Sequence, residues 1–177
     1  QNLLINLLQS VHKDIWLLVS SYIIFEDIQR FSNIFTILQS FQKKKEVRIL
    51  ILTTNDTQKQ FSEKTGFKAE GNFEIRYIDY TGLSNFEVEA NTLIAIFDRN
   101  KSLAIRFKER KENTVDSFSQ LIESSVYTVG KDTVMASILL FERLWYQTKL
   151  IQNVKDSVSL QKEFVNLAAH ELRNPIQ

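Results

Sequence analysis

The residues best suited to chemistry stand at the end of the chain, around one of its two histidines. They are Phe164, His170, Glu171, Leu172, Arg173, Asn174 and Pro175. A neutral imidazole is a nucleophile, and an adjacent carboxylate can hold the proton of its second ring nitrogen. On a helix His170 lies about 200° from Ala168 and about 160° from Leu172, so it faces water when those two residues pack on a partner. Asn174 and Arg173 share the side of His170, where an amide and a guanidinium can flank a phosphoryl group.

This run resembles the phosphoacceptor box of sensor histidine kinases, F-x5-H-E-[LI]-R-[TN]-P. All six defining positions are present, and Asn174-Pro175 is the closing pair. The resemblance implies that His170 attacks the γ-phosphate of Mg-ATP and later passes the phosphoryl group to an aspartate of a response regulator. It also implies that Glu171 is the base or orienting acceptor for the imidazole. Asn174 stands where the family places the group that positions water for dephosphorylation.

The chain contains no Gly-rich ATP lid and no Asp-x-Gly-x-Gly pattern. We therefore expect Mg-ATP to be bound by a catalytic domain outside this sequence, and we expect the 177 residues to be an inactive fragment of a longer kinase that holds no cofactor of its own. Zero Cys and two His argue against disulfides, thiol redox chemistry and structural zinc.

A long helix precedes the box, because neither Gly nor Pro occurs between Asp132 and Pro175. One heptad frame comprises Val134, Ile138, Phe141 and Trp145. A second frame, the heptad seam, comprises Ile151, Val154, Val158, Gln161, Val165, Ala168 and Leu172. The two frames do not join in phase, so we expect the helix to leave its own domain near Thr148 and to form a parallel coiled coil beyond it. The alternative is one irregular amphipathic helix folded back on its sheet.

The first 131 residues alternate between helical and strand patterns, which predicts an α/β fold with a mixed sheet flanked by helices. The predicted helices are Gln1–Lys13, Glu26–Lys44 and Asp56–Lys64, with a short one near Phe118–Ile122. The predicted strands are Ile15–Tyr22, Glu46–Thr54, Phe73–Tyr80, the two arms of a hairpin around Asp98–Lys101, and an edge strand at Val126–Val129.

The first arm of the hairpin resembles the central strand of the phospholipase D superfamily, whose signature is H-x-K-x4-D. Asp98 is kept, but Asn91 replaces the histidine and Leu93 replaces the lysine. Phe141-x-x-Leu144-Trp145 also resembles the last helix of such domains, including the non-catalytic versions in archaeal sugar-responsive transcription regulators. The two resemblances imply a phospholipase D-like domain that binds a ligand without cleaving it. The alternative is that Leu93 belongs to the core face of an ordinary buried strand.

Charge and hydropathy limit the classes of partner and the cellular location that we expect. The net charge of +1 argues against nucleic acid. A local excess of cations around Arg99–Lys111 could contact an anion or nucleic acid, although a solvated loop is the simpler explanation. The longest uncharged apolar run, Ile15 to Phe25, is about half the ~20 residues that span a bilayer, so we expect a cytoplasmic protein without a membrane segment.

These patterns predict an α/β sensory domain at 1–131, a signalling helix at 132–163 and the start of a phosphoacceptor helix at 164–177. The predicted protein is a two-component sensor histidine kinase that dimerises through residues 132–174 and responds to an unidentified small molecule or protein. The alternative function is a non-catalytic ligand-binding regulator that uses the long helix only to dimerise.

Overall fold

The computed structural model describes residues 2–20, 34, 36–41, 45–53, 71–79, 91–108 and 122–173. The helices are α1 (Asn2–Gln9) and α2 (Lys131–Arg173), and residues 34 and 36–40 are also helical. The strands are β1 (Asp14–Ser20), β2 (Glu46–Thr53), β3 (Phe73–Asp79), β4 (Thr92–Phe97), β5 (Lys101–Phe107) and β6 (Ile122–Val129). The helix predicted at Asp56–Lys64 and the one near residue 118 lie outside the described residues.

The six strands form one mixed sheet in the order β3-β2-β1-β4-β5-β6. Strand β1 pairs in parallel with β2, and β2 in parallel with β3. The other three pairings, β1 with β4, β4 with β5 and β5 with β6, are antiparallel. The α/β class and the mixed sheet predicted from the sequence are confirmed.

Two apolar cores lie on opposite faces of the sheet, because successive side chains of a strand point to opposite sides. On the first face Ile15, Leu17 and Val19 of β1 pack with α1 and with helical residues Ile34 and Leu38. On the second face Trp16 and Leu18 pack against α2. All seven residues of β1 are buried, as expected of a central strand covered on both faces.

Three aromatic rings hold α2 against the second face. Phe141 stacks on Trp16 of β1 with ring centroids 5.1 Å apart and on Trp145 with centroids 5.5 Å apart. Phe141 is 1% exposed and Trp16 is also 1% exposed. The first heptad frame of α2 is therefore its contact with its own domain, as the sequence predicts.

Three arginines cover the outer faces of the two tryptophans. Arg99 and Arg48 lie over Trp16, with guanidinium carbons 4.6 and 5.3 Å from a ring centroid. Arg76 lies over Trp145 at 4.0 Å. Cation–π contacts of this kind contribute about 0.5–1 kcal/mol each where the cation is partly solvated. Arg48 also lies 5.6 Å from the Trp145 ring, so side chains from β2 and β3 contact α2 directly, while Arg99 covers Trp16 of β1.

Helix α2 has 43 residues, or about 65 Å at 1.5 Å per residue. Its start follows Gly130, whose φ of 107° is in the region that favours glycine. Val134, Ile138, Phe141, Leu144, Trp145 and Thr148 are buried, whereas residues 149–167 are all exposed. The second half of α2 therefore makes no extensive contact with the described part of the domain.

Strand β6 is longer than the predicted Val126–Val129. It begins at Ile122 and includes Glu123, Ser124 and Ser125, which have no strand pattern of their own. These residues are extended because β5 pairs with them, up to a register shift at Phe107. Tertiary pairing outweighs local propensity at such an edge.

Candidate functional site

His170 lies in the last turns of α2 and its side chain is exposed. It shares one side of the helix with Ser159, Lys162, Glu163, Asn166 and Leu167, which form one open surface. The spacing of three and four residues explains why they form one surface. His170 is thus accessible to another protein domain, with polar side chains next to it.

The rest of the predicted phosphoacceptor box is described only in part. Phe164 is 73% exposed. Glu171 and Arg173 belong to α2 by their backbone. Asn174 and Pro175 lie outside the described residues, so the predicted surroundings of a phosphoryl group on His170 stay a prediction.

The exposed apolar side chains of the heptad seam form the second notable feature of this half of the helix. Val154 is 63% exposed, Val158 44% and Val165 62%. Apolar side chains at heptad spacing on a projecting helix are typical of a helix that pairs with another. The coiled coil itself remains a prediction.

The three positions of the phospholipase D-like motif are not brought together. Asn91 precedes β4, Leu93 is a core residue 3% exposed, and Asp98 follows the other end of the strand. Asn91 and Asp98 are seven residues apart along an extended strand, about 23 Å at 3.3 Å per residue. Neither residue lines a cavity described here.

The side chain and the backbone of Asn91 both make hydrogen bonds to Phe107. Its Nδ2 donates to the carbonyl of Phe107 at 2.6 Å, and the Phe107 amide donates to the carbonyl of Asn91 at 2.9 Å. The Oδ1 atom of Asn91 is buried and has no hydrogen-bond partner among the described residues. Asn91 therefore joins the start of β4 to the end of β5.

Asp98 holds the loop that leads into β1. Its carboxylate accepts hydrogen bonds from the backbone amides of His12 at 3.0 Å, Lys13 at 2.7 Å and Asp14 at 3.2 Å. Asp98 and Arg99 have φ of 51° and 53°, and the amide of Asn100 donates to the carbonyl of Phe97, which is the pattern of a type I′ turn. Burial alone would raise the pKa of Asp98, but the three amides outweigh it and the pKa lies below its usual value.

Replacing Asp98 by Ala is expected to lower the free energy of unfolding by about 2 kcal/mol at neutral pH, because three amide donors lose a charged acceptor. Asp98→Asn should cost less, since Asn keeps one acceptor oxygen and tolerates positive φ. The folded pKa is depressed, so the contribution is present above the unfolded value near ~3.9 and disappears as pH falls through the folded pKa.

Urea unfolding of the three proteins between pH 7 and pH 2.5 measures this effect. The difference between the unmodified chain and Asp98→Asn should shrink at the acid end of the range. A difference that is independent of pH would show that the carboxylate charge does not stabilise the loop.

Among the residues that the structure describes, no group of three or more His, Asp or Glu side chains could hold a metal ion. None of the described helices is long and apolar enough to cross a membrane.

No family model matches the chain, and no curated protein matches it. Among solved structures, the chain is similar to the structure of TrmBL2, an archaeal chromatin protein that shows a novel mode of DNA binding. The TM-score is 0.49 and the sequence identity 14%, and the match covers 80% of this chain and 46% of that chain. The chain thus spans less than half of TrmBL2. A likeness of this size carries no argument about what this chain does.

The exclusion of nucleic acid as a partner is nevertheless corrected. The structural neighbour TrmBL2 binds DNA, in conflict with that exclusion, and the argument from net charge fails on physical grounds. Net charge is an average over 177 residues, whereas contact with a phosphate backbone depends on local clusters of Lys and Arg. An average near zero is therefore no ground for excluding this class of partner.

Proposed function

We propose that the chain is the sensory and phosphoacceptor segment of a two-component sensor histidine kinase. The observation that carries the proposal is an exposed histidine in a complete phosphoacceptor box, near the end of a 43-residue helix that is anchored on an α/β domain. A residue that must meet a separate ATP-bearing domain has to project from its own domain.

The chemistry follows from the imidazole and its neighbours. A neutral ring nitrogen of His170 attacks the γ-phosphorus of Mg-ATP, the bond to the leaving ADP oxygen breaks, and a phosphoramidate forms. Glu171 accepts the proton of the other ring nitrogen and so raises the nucleophilicity of the ring. An aspartate of a response regulator then takes the phosphoryl group. Asn174 would position water for its later hydrolysis.

The same proposal includes a parallel homodimer formed through residues 132–174. The exposed valines of the heptad seam support it, because a long row of apolar side chains in water is unfavourable. The anchored half of α2 would carry a signal from the sheet into the dimer. The parent protein would work in the cytoplasm, where ATP and response regulators are found.

A second candidate function is a ligand-binding regulator that dimerises through α2 and transfers no phosphoryl group. The exposed seam supports this function as well as the kinase, since it requires only pairing. The sequence beyond Gln177 in the parent protein discriminates between them. A second dimerisation helix and an ATP lid favour the kinase, and a stop codon or a DNA-binding module excludes it.

The direct test is incorporation of phosphate. With Mg-ATP alone the 177-residue chain is expected to incorporate none. When the downstream kinase region is restored, one acid-labile, base-stable phosphoryl group per chain is expected. No acid-labile label in the restored protein would exclude the proposal.

A further inference from the structure

A cavity of about 420 Å³ lies where α2 leaves the sheet. One wall is β3, through Ile75, Arg76 and Tyr77, and the other wall is the turn of α2 that contains Lys149, Ile151 and Lys155. The volume is within the ~300–1,000 Å³ typical of small-molecule sites. The cavity belongs to neither the phosphoacceptor box nor the phospholipase D-like motif.

The described residues that line the cavity include three cations and no carboxylate. Arg76 is already paired, since its Nη2 lies 3.1 Å from Glu74 and its Nη1 donates to the carbonyl of Trp145 at 3.1 Å. Within the part of the chain that the structure describes, neither Lys149 nor Lys155 is paired with a carboxylate. These two ammonium groups leave the cavity with a net positive charge.

The remaining apolar lining comes from α2. Ile151 provides aliphatic surface, whereas the side chains of Ile75 and Tyr77 pack on the core at the opposite face of the sheet. Burial raises the pKa of the Tyr77 phenol, so it stays protonated and neutral at physiological pH. The nearby Asp156 accepts a hydrogen bond from Gln152 and does not line the cavity.

We propose that this cavity binds a small anion, in which a carboxylate or phosphate group contacts Lys149 and Lys155. The two lysines are the charge partners of the anion, and an apolar group attached to it would contact Ile151. Charge-assisted hydrogen bonds to an anionic oxygen are about twice as strong as neutral ones.

The location gives the site a regulatory role, which rests on the proposed function. Arg76 lies over the ring of Trp145 and donates to its carbonyl, and that carbonyl also accepts from Thr148 Oγ1 at 2.7 Å. Ile151 is the first residue of the heptad seam and also lines the cavity. A ligand held there contacts the seam at the point where it begins, and so biases the direction in which α2 leaves the domain.

Binding is tested on the 177-residue chain without ATP, so the result does not depend on phosphorylation. Amide ¹H–¹⁵N NMR spectra of the chain are recorded during titration with benzoate, phenyl phosphate and inorganic phosphate. Benzyl alcohol is the uncharged probe. Benzoate or phenyl phosphate is expected to shift amides of residues 75–77 and 148–155, and benzyl alcohol should bind at least about tenfold more weakly. A comparison of the two aromatic anions distinguishes a carboxylate site from a phosphate site.

The double replacement Lys149→Ala with Lys155→Ala should raise the Kd at least about tenfold. Lys162→Ala is the matched control, an exposed lysine on the same helix outside the cavity, and should change the Kd less than twofold. The proposal is overturned if neither anion shifts these amides, if benzyl alcohol binds equally well, or if the double variant binds as tightly as the unmodified chain.

Discussion

Replacement of His170 by Gln is expected to abolish acid-labile phosphorylation of the restored kinase. The substitution removes the nucleophilic nitrogen and leaves an amide of similar size. His170 is exposed on α2, and surface substitutions usually change the free energy of unfolding by less than about 0.5 kcal/mol. Loss of label would therefore report chemistry and not unfolding. Label is measured with radioactive ATP after acid and base treatment, and folding is measured by circular dichroism.

The chain supplies its own matched control for this experiment. His12, the only other histidine, is exposed in the loop before β1. His12→Gln should leave labelling unchanged, since only its backbone amide contacts Asp98. Asn174→Ala should leave labelling largely intact and slow the dephosphorylation of the partner regulator. Label that survives His170→Gln, or that disappears with His12→Gln, would show that the box is misinterpreted.

The fold class could be predicted from the sequence because its periodicities are strong. Buried runs such as Glu46–Thr53 are rich in β-branched residues, and α2 has no helix breaker over 43 residues. The strand order could not be predicted. It depends on which apolar faces meet. Strand β1, which contains Trp16, pairs with β2 on one side and with β4 on the other, and both pairings join segments that are distant in sequence.

The hairpin shows which structural information a spaced motif does not contain. The spacing of Asn91 and Asp98 matches the phospholipase D signature, but the signature does not specify the conformation of the turn that contains Asp98. Asp98 adopts a positive φ and points its carboxylate at the amides of residues 12–14. A distance along the chain contains no information about such a loop, which is more than 80 residues away in sequence.

The cavity beside β3 was missed for a related reason. In the sequence, Arg76 lies within a predicted strand, and Lys149 and Lys155 lie within the predicted long helix. Their relation appears only when α2 crosses the sheet and leaves it at Thr148. The available signal was the arginine at the centre of the strand Phe73–Asp79, at a position that faces α2 and lies over Trp145.

The last expected result concerns pairing of the second half of α2. Val158→Lys combined with Val165→Lys should convert a dimer of the 177-residue chain into monomers. Burying a Val side chain contributes about 1.5–3 kcal/mol, and the two substitutions remove four such contributions from a dimer. An unpaired ammonium in the seam adds a desolvation penalty of several kcal/mol. The α/β domain should stay folded, because residues 149–167 are exposed and do not contribute to either core.

The helix offers a control with the same spacing and the same change of charge. Leu160 and Leu167 are seven residues apart, like Val158 and Val165, and are 67% and 63% exposed. They lie outside the heptad seam, so Leu160→Lys with Leu167→Lys should leave the dimer intact. Sedimentation equilibrium over a range of concentrations measures both variants. A monomeric unmodified chain at high concentration, or equal dissociation of the two double variants, would contradict pairing through this seam, because only a seam-specific contact separates one set of lysines from the other.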